Sequence, residues 1–401
     1  MILPRIPFPL EKGDKLRAFH QIRCLSKNNE IILCAINDTK IHKDARKTLQ
    51  KYCKSINFFS ISKFSIIFNV LKAFLLGKPF QVGYFYNSKA SKAINKLIEK
   101  HKPDHIYCQL IRVAEYVKDQ NISKTLDYQD VFSKGIERRI HSAPFYLKPF
   151  FRVEYNRVLS YERKVFDLFD NKTIISIPDR ELISHPEKNK IQIIINGVDT
   201  EFFHPIEMKK EYDLVFTGNM AYPPNVKAAT LIANQILPVV HKTMPDVNLL
   251  LAGATPDKSV IALDSEKVKV AGWVDDMRES YAKAKIFIAP MQIGIGLQNK
   301  LLEAMAMRLP SITSQLANNA LGAKSGKEIL IGLSPDEYAS HIIDLLKNSE
   351  KAEKLAENGN KYIINNYNWE SATAKLEGLM IGSSVPLEKM KLTSKIERKK
   401  F

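Results

Sequence analysis

Residues 292–303, Gln-Ile-Gly-Ile-Gly-Leu-Gln-Asn-Lys-Leu-Leu-Glu, gather two glycines, an amide pair, a lysine and a glutamate in one short stretch. The apolar run 285–290 before them reads as a buried parallel strand. A helix is predicted to open near Gln298, with Lys300 in its first turn and Glu303 one turn further in. Gly294 and Gly296 allow backbone to come close to a ligand, and the start of a helix offers unpaired N–H groups to an anion. Lys300 adds a positive charge there, and the backbone up to Asn299 adds donors. Glu303 makes little sense against phosphate, but a carboxylate is a good acceptor for a ribose diol. The combination points to a nucleoside diphosphate.

Other strand-end segments have related chemistry. In 216–225, Phe-Thr-Gly-Asn-Met-Ala-Tyr-Pro-Pro-Asn, the N–H groups around Gly218 and Asn219 can meet a diphosphate, and Asn225 reads as a helix cap. Neither segment is a Walker loop, and Gly294-x-Gly296 lacks the third glycine of a dinucleotide fingerprint, which argues against an oxidoreductase. Residues 4–17 form a proline-bracketed turn leading into a helix. There Gly13, Asp14 and Arg17 either face a phosphate or sugar or simply build a turn. Residues 196–199, Asn-Gly-Val-Asp, read as an interdomain corner without chemistry. His20 is read as a helix residue facing solvent or core.

These segments need strands to hold them. Apolar runs alternate with amphipathic stretches throughout, the pattern of parallel α/β sheets. Strands are predicted at 30–36, 56–59, 105–109, 124–127 and 173–177, then at 191–195, 212–217, 247–252, 268–271, 285–288 and 311–313. Helices are predicted between them, including 15–27, 88–101, 148–169, 226–241 and 335–347, with two more at 349–366 and 369–380. The pattern gives two doubly wound domains, 1–180 and 181–380, and a basic tail at 381–401. Ligands are expected beyond the carboxyl ends of the strands, in a cleft between the domains. Only three residues precede Pro4, so either the first strand is short or the natural chain starts upstream.

The chain has 401 residues, 45% of them apolar, enough for two cores. No apolar run is long enough to span a bilayer. The nearest, 64–76, reads as an amphipathic core helix, with a membrane-surface helix as the sharper alternative. No signal peptide is visible, and Cys24, Cys34, Cys53 and Cys108 have no metal-ligand spacing, so a cytoplasmic protein with reduced thiols is expected. Net charge is +17 and uneven: residues 1–170 hold 31 basic and 16 acidic side chains, and the tail six and two. Such a surface suits an anionic membrane or a phosphate-bearing acceptor. Nucleic-acid binding is the competing reading, but no zinc-finger spacing or RNA-binding aromatic signature supports it.

Taken together, these motifs resemble the retaining GT-B glycosyltransferases of family 4, and among them the sugar transferases of exosortase and exopolysaccharide gene clusters. The resemblance runs from Pro4 to about residue 375. It rests on Gly13-Asp14-Lys15-x-Arg17, on 196–199, on 216–225, and on the long segment Gly-Leu-Gln-Asn-Lys-Leu-Leu-Glu-Ala-Met-Ala-Met at 296–307. It implies two Rossmann-like domains, a nucleotide-sugar donor on the second and a glycan or lipid-linked acceptor on the first. Glu303 would then hold the ribose, Lys300 with the backbone of Gly296, Gln298 and Asn299 would face the diphosphate, and the backbone near Val274 would hold the base. Asp127 and Asp130 are the carboxylates expected nearest the reaction, or loop caps, and Gln109 and Arg112 are expected on the acceptor side. No cofactor and no metal are expected, since there is no Asp-x-Asp, and the location would be cytoplasmic or peripheral on the inner face of a membrane. The family pattern would put a glutamate where Ile295 stands, and its usual Arg and Lys after the first strand of the second domain are replaced by Asn219 and Asn225. More diphosphate charge would then fall to Lys300 and Arg17. The alternatives are a nucleotide-sugar epimerase, an inverting transferase, or a degenerate GT-B protein acting as a nucleotide-binding or scaffold subunit.

Overall fold

Long β-rich apolar runs separated by helices can pair in parallel only if each crossover covers a sheet face, and both halves of the chain fold this way. The computed structural model describes residues 1–10, 12–293 and 296–382. The chain divides into two compact units, one made of Met1–Ile194 and the segment from Glu370 onward, the other of Ile195–Trp369. In the first unit the strands are β1 (Ile2–Leu3), β2 (Ile32–Asn37), β3 (Ser55–Ser60), β4 (Ile106–Gln109), β5 (Lys124–Asp127), β6 (Asn171–Ile174) and β7 (Gln192–Ile193). They pair in parallel in the order β3-β2-β1-β4-β5-β6-β7. The second unit holds β8 (Tyr212–Thr217), β9 (Leu249–Ala252), β10 (Val268–Gly272), β11 (Ala284–Ala289), β12 (Ser311–Thr313) and β13 (Leu330–Ile331). Their order is β10-β9-β8-β11-β12-β13, again parallel. Each unit has its own apolar core.

Domain boundaries differ from those expected at 180/181 and 380/381. β7 pairs with β6 through Thr173 and Gln192, so the first unit runs to Ile194. The helix Trp369–Met380 returns to that unit, where Glu377 accepts hydrogen bonds from Asn28 (3.3 Å) and Asn29 (2.6 Å). The Asn-Gly corner has a packing role: a Cβ on Gly197 would lie 2.5 Å from the backbone nitrogen of the buried Trp369. The single helix expected at 226–241 is interrupted by a π turn, Ile232–Ile236, just ahead of Pro238, which has no N–H to give to the helical ladder.

A second departure concerns the helix Lys63–Leu75. Only Ala73 on it is buried. Its narrow inner face approaches the helix Phe80–Phe85, where a Cβ on Gly83 would come within 2.5 Å of that of Ala73. Phe64, Ile67, Phe68, Leu71, Phe74 and Leu75 point to solvent. The expected core helix therefore shows its apolar stripe outward.

The interior of the first unit contains an ion pair with no access to water. Arg17 Nε and Nη2 donate to the two oxygens of Asp127 (2.6 and 3.1 Å), and both side chains are fully buried. Tyr107 and Thr173 donate to the same carboxylate (2.7 and 2.9 Å). Removing one partner leaves the other as an uncompensated buried charge, a loss of about 3–5 kcal/mol. Asp127→Ala is accordingly expected to lower the urea midpoint of the first unit by that equivalent. A variant as stable as the parent would show that the pair has no structural role.

Candidate functional site

Strand order in the second sheet grows outward from β8 on one side and from β11 on the other. The carboxyl ends of these two strands therefore flank the switch point, where open parallel sheets bind ligands. After β8 the chain turns through Gly218, whose φ is +144°, and after β9 through Gly253, with φ +145°. A Cβ on Gly253 would lie 1.8 Å from the Gly218 carbonyl oxygen, and one on Gly218 would lie 2.7 Å from Asn225 Nδ2 and 3.2 Å from Lys300 Nζ. Only glycine suits these conformations and this closeness.

After β11 comes the segment that holds Gly294 and Ile295, which lie outside the described residues, and then the helix Asn299–Ala306. That helix starts without a side-chain cap, because Gln298 instead donates to the Gly296 carbonyl (3.0 Å). Asn299 Oδ1 is enclosed and has no donor among the described residues. Lys300 projects from the first turn and donates to Asn225 Oδ1, with its ammonium 4.7 Å above the Phe216 ring centre. Asn225 is not a cap, since its helix already begins at Pro223. It sits in the first turn, donates to the Asn219 carbonyl (2.9 Å) and so ties the glycine loop to Lys300. Asn219 itself is exposed, and Val274, just past β10, is partly buried and packs on the core.

The electrostatics of this corner follow from partial enclosure. Lys300 and Glu303 are half-exposed. The surrounding protein pushes the Lys300 ammonium down to about 7, opposed by Glu303. The same desolvation raises the Glu303 carboxyl, opposed by a hydrogen bond from Tyr281 and by Lys300. Tyr281, fully buried in the helix Met277–Ala282, donates to Glu303 Oε2 (2.8 Å) and lies 2.8 Å from Thr217 Oγ1. Thr217, Tyr281 and Glu303 thus form a chain in which each hydroxyl donates to the next oxygen. Sequence reasoning missed Tyr281, Thr217 and Gly253. Nothing in the spacing of 277–282 sets Tyr281 apart from a core aromatic, but Gly253 at a strand end was a readable signal.

In the first unit the corresponding switch point lies between β1 and β4. Arg5 pairs with Asp14 at the start of the helix Gly13–Leu25, and Gly13 has open space beside it. Arg112 donates to Gln81 (2.9 Å) and stacks over Phe85 and Phe132, at 5.1 and 4.5 Å. Desolvation, and then the neighbouring charge of Arg5, push it down to about 10. Tyr84 donates to Asp38 (3.0 Å). Asp130 reaches solvent, and desolvation with Asp179 and Asp14 pushes its carboxyl up to about 6 against Arg112 and Arg138. Three expectations need correction. Asp127 is sealed in the core with both oxygens occupied, so it cannot take a proton from a substrate. Arg17 is its counter-ion and has no exposed surface for a phosphate. Gln109 is buried and donates to the Asp14 carbonyl (2.9 Å), which fixes the helix start. A cavity of about 490 Å³ in this unit opens at the amino ends of β1, β2 and β4, the opposite end of the strands from these groups.

Tyr281→Phe removes the donor to Glu303 and leaves Thr217 without its acceptor. It is expected to destabilise the second unit by about 1–2 kcal/mol in urea unfolding and to raise the Glu303 carboxyl further. An unchanged midpoint would mean that the chain of hydroxyls contributes nothing.

Residues 211–348 match the family model described as Glycosyl transferases group 1. A Klebsiella pneumoniae relative, an uncharacterized 44.6 kDa protein in the cps region, is 24% identical over 385 residues, covering 90% of this chain and 94% of that one. Among solved structures, sucrose-phosphate synthase from Thermosynechococcus elongatus superposes with a TM-score of 0.66 at 14% identity, over 94% of this chain and 97% of that one. Anabaena HepE in complex with UDP and glucose gives a TM-score of 0.65 at 11% identity, over 96% and 99%. With two parallel sheets ordered as described, the architecture is the GT-B fold.

Proposed function

We propose that the protein is a retaining glycosyltransferase that moves a sugar from a nucleotide-diphosphate sugar to a glycan or lipid-linked acceptor in surface-polysaccharide synthesis. The observation that carries this reading is Lys300 and Glu303, one turn apart on a helix at the switch point of the second sheet and fixed by Asn225 and Tyr281. A fixed cation and an uncapped helix start suit a diphosphate leaving group, and an oriented carboxylate suits a ribose diol. The family match over 211–348 and the relative in a cps region support the same reading, as does the UDP held by the structural neighbour from Anabaena.

In the transfer, the bond from the sugar C1 to the departing phosphate oxygen breaks as the acceptor oxygen bonds to C1. The departing phosphate oxygen takes the acceptor proton, so the step needs no protein base, which accords with Asp127 being sealed away. The Lys300 ammonium and the N–H groups of Asn299 and Lys300 stabilise the charge that develops on the diphosphate. The strand ends of the first unit, with Arg5, Arg112 and Asp130, are assigned to the acceptor. No metal or cofactor enters this scheme.

Because Lys300 is held near neutrality, a bound diphosphate has to raise it. At pH 8 the unliganded side chain is mostly uncharged, so donor binding should take up close to one proton. Affinity should fall as pH rises above about 7. Calorimetry with UDP-glucose and GDP-mannose in buffers of different ionisation enthalpy measures the uptake directly. Lys300→Ala and Glu303→Ala are each expected to lower kcat/KM by about 10²–10³-fold, or roughly 3–4 kcal/mol. Donor binding unaffected by both variants would sink the site assignment. Saturable binding without transfer to any acceptor would favour a nucleotide-binding subunit, and release of free epimer without acceptor would favour an epimerase.

A further inference from the structure

The helix Lys63–Leu75 presents an unusual surface. Besides Ile66, Val70 and Ala73, which are partly or fully buried, it has apolar residues at 64, 67, 68, 71, 74 and 75, the spacing that normally faces a core. Here they face solvent, with Phe64 87% and Leu75 83% exposed. The stripe continues beyond the helix. Phe74 stacks on Phe80 (6.1 Å between centres) and Phe80 on Phe150 (5.1 Å), and Arg157 braces the seam by lying over Phe74 and Phe80 and donating to the Phe74 carbonyl. From Phe150 the surface runs on through Leu147 and Tyr146 to Phe145, which is 84% exposed. Folding has therefore assembled two sequence-distant segments into one continuous apolar face. Monomeric soluble proteins rarely leave such a face uncovered.

Charge identifies what covers it. Residues 61–79 and 145–153 contain Lys63, Lys72, Lys78, Lys148 and Arg152 and no aspartate or glutamate, and of these Lys78 is paired with Glu115 from outside the two segments. Exposed Lys63, Lys72 and Arg152 form no ion pair among the described residues. A second copy of this face would bring the same positive charges together, whereas a surface that is apolar inside and anionic outside complements it. At 13 residues the helix is about 20 Å long, too short to cross a bilayer, and no helix among the described residues is long and apolar enough to do so. An apolar face edged by lysine and arginine is the form of a helix lying in a membrane interface.

We infer that the helix Lys63–Leu75 and the aromatic start of the helix Lys148–Asp167 dock this protein on an anionic lipid bilayer. Phe64, Phe68, Leu71 and Leu75 enter the acyl boundary while the basic side chains meet the headgroups. This surface is independent of the transferase reading: it would hold a protein with no transferase activity equally well.

The test is flotation of the full chain with vesicles of equal parts phosphatidylglycerol and phosphatidylcholine, against pure phosphatidylcholine, over a salt series. Binding is expected to the anionic vesicles only, and to weaken with salt. Phe68→Ser with Leu75→Ser, and separately Lys63→Glu with Lys72→Glu, should each lower the partition about tenfold or more. All four side chains are exposed, so the variants should keep the parent's circular dichroism and melting temperature. Phe68→Trp should gain a fluorescence component that brominated lipid quenches. Parent protein that does not bind, or variants that bind like the parent, would overturn the inference. So would a parent dimer that the apolar variants make monomeric without any vesicle binding.

Discussion

Every strand pair among the described residues is parallel, and that constraint governs the rest of the molecule. A parallel partner can be reached only by a crossover, and crossovers put helices over both faces of the sheet. What stays open to solvent is the strand ends, and chemistry concentrates where the order reverses. In the second unit that place lies between β8 and β11. The glycine loop and the helix carrying Lys300 and Glu303 meet there, although some 80 residues of sequence separate them.

Within this frame the two units use charge differently. Arg17 and Asp127 are fully enclosed, and each finds in the other, and in Tyr107 and Thr173, a replacement for water. Such a pair holds the helix Gly13–Leu25 to the sheet and has nothing left for a ligand. Lys300 and Glu303 are only partly enclosed and incompletely compensated, and both are displaced toward their neutral forms. A site that keeps a cation short of partners is primed for an anion, and the anion completes the pairing that the protein leaves open.

Much of this was legible from residue types. Alternating apolar runs gave the parallel sheets, and the 292–303 segment located the helix start with its lysine and glutamate. Harder to read was anything that depended on side chains from different elements. Asp127 looked like a catalytic carboxylate because it ends a strand, and its capture by Arg17 comes from a residue 110 positions away. Asn225 looked like a cap, but Lys300, reaching over from another strand end, makes it a tether. Tyr281 had no pattern to betray it. β7 read as a strand of the second half because sequence position does not reveal which sheet edge is free.

The sequence by itself determined the periodicities, and so the α/β class, the two-sheet plan and the strand ends where backbone can meet a ligand. It also determined that residues 64–75 form an amphipathic helix. Only the tertiary structure decided which side of that helix is covered, which strand-end charges are sealed into the core, and where the first unit ends. Periodicity records that a face is apolar, not what lies against it. Burial and pairing are relations between distant segments, and they come into being only when the chain has folded.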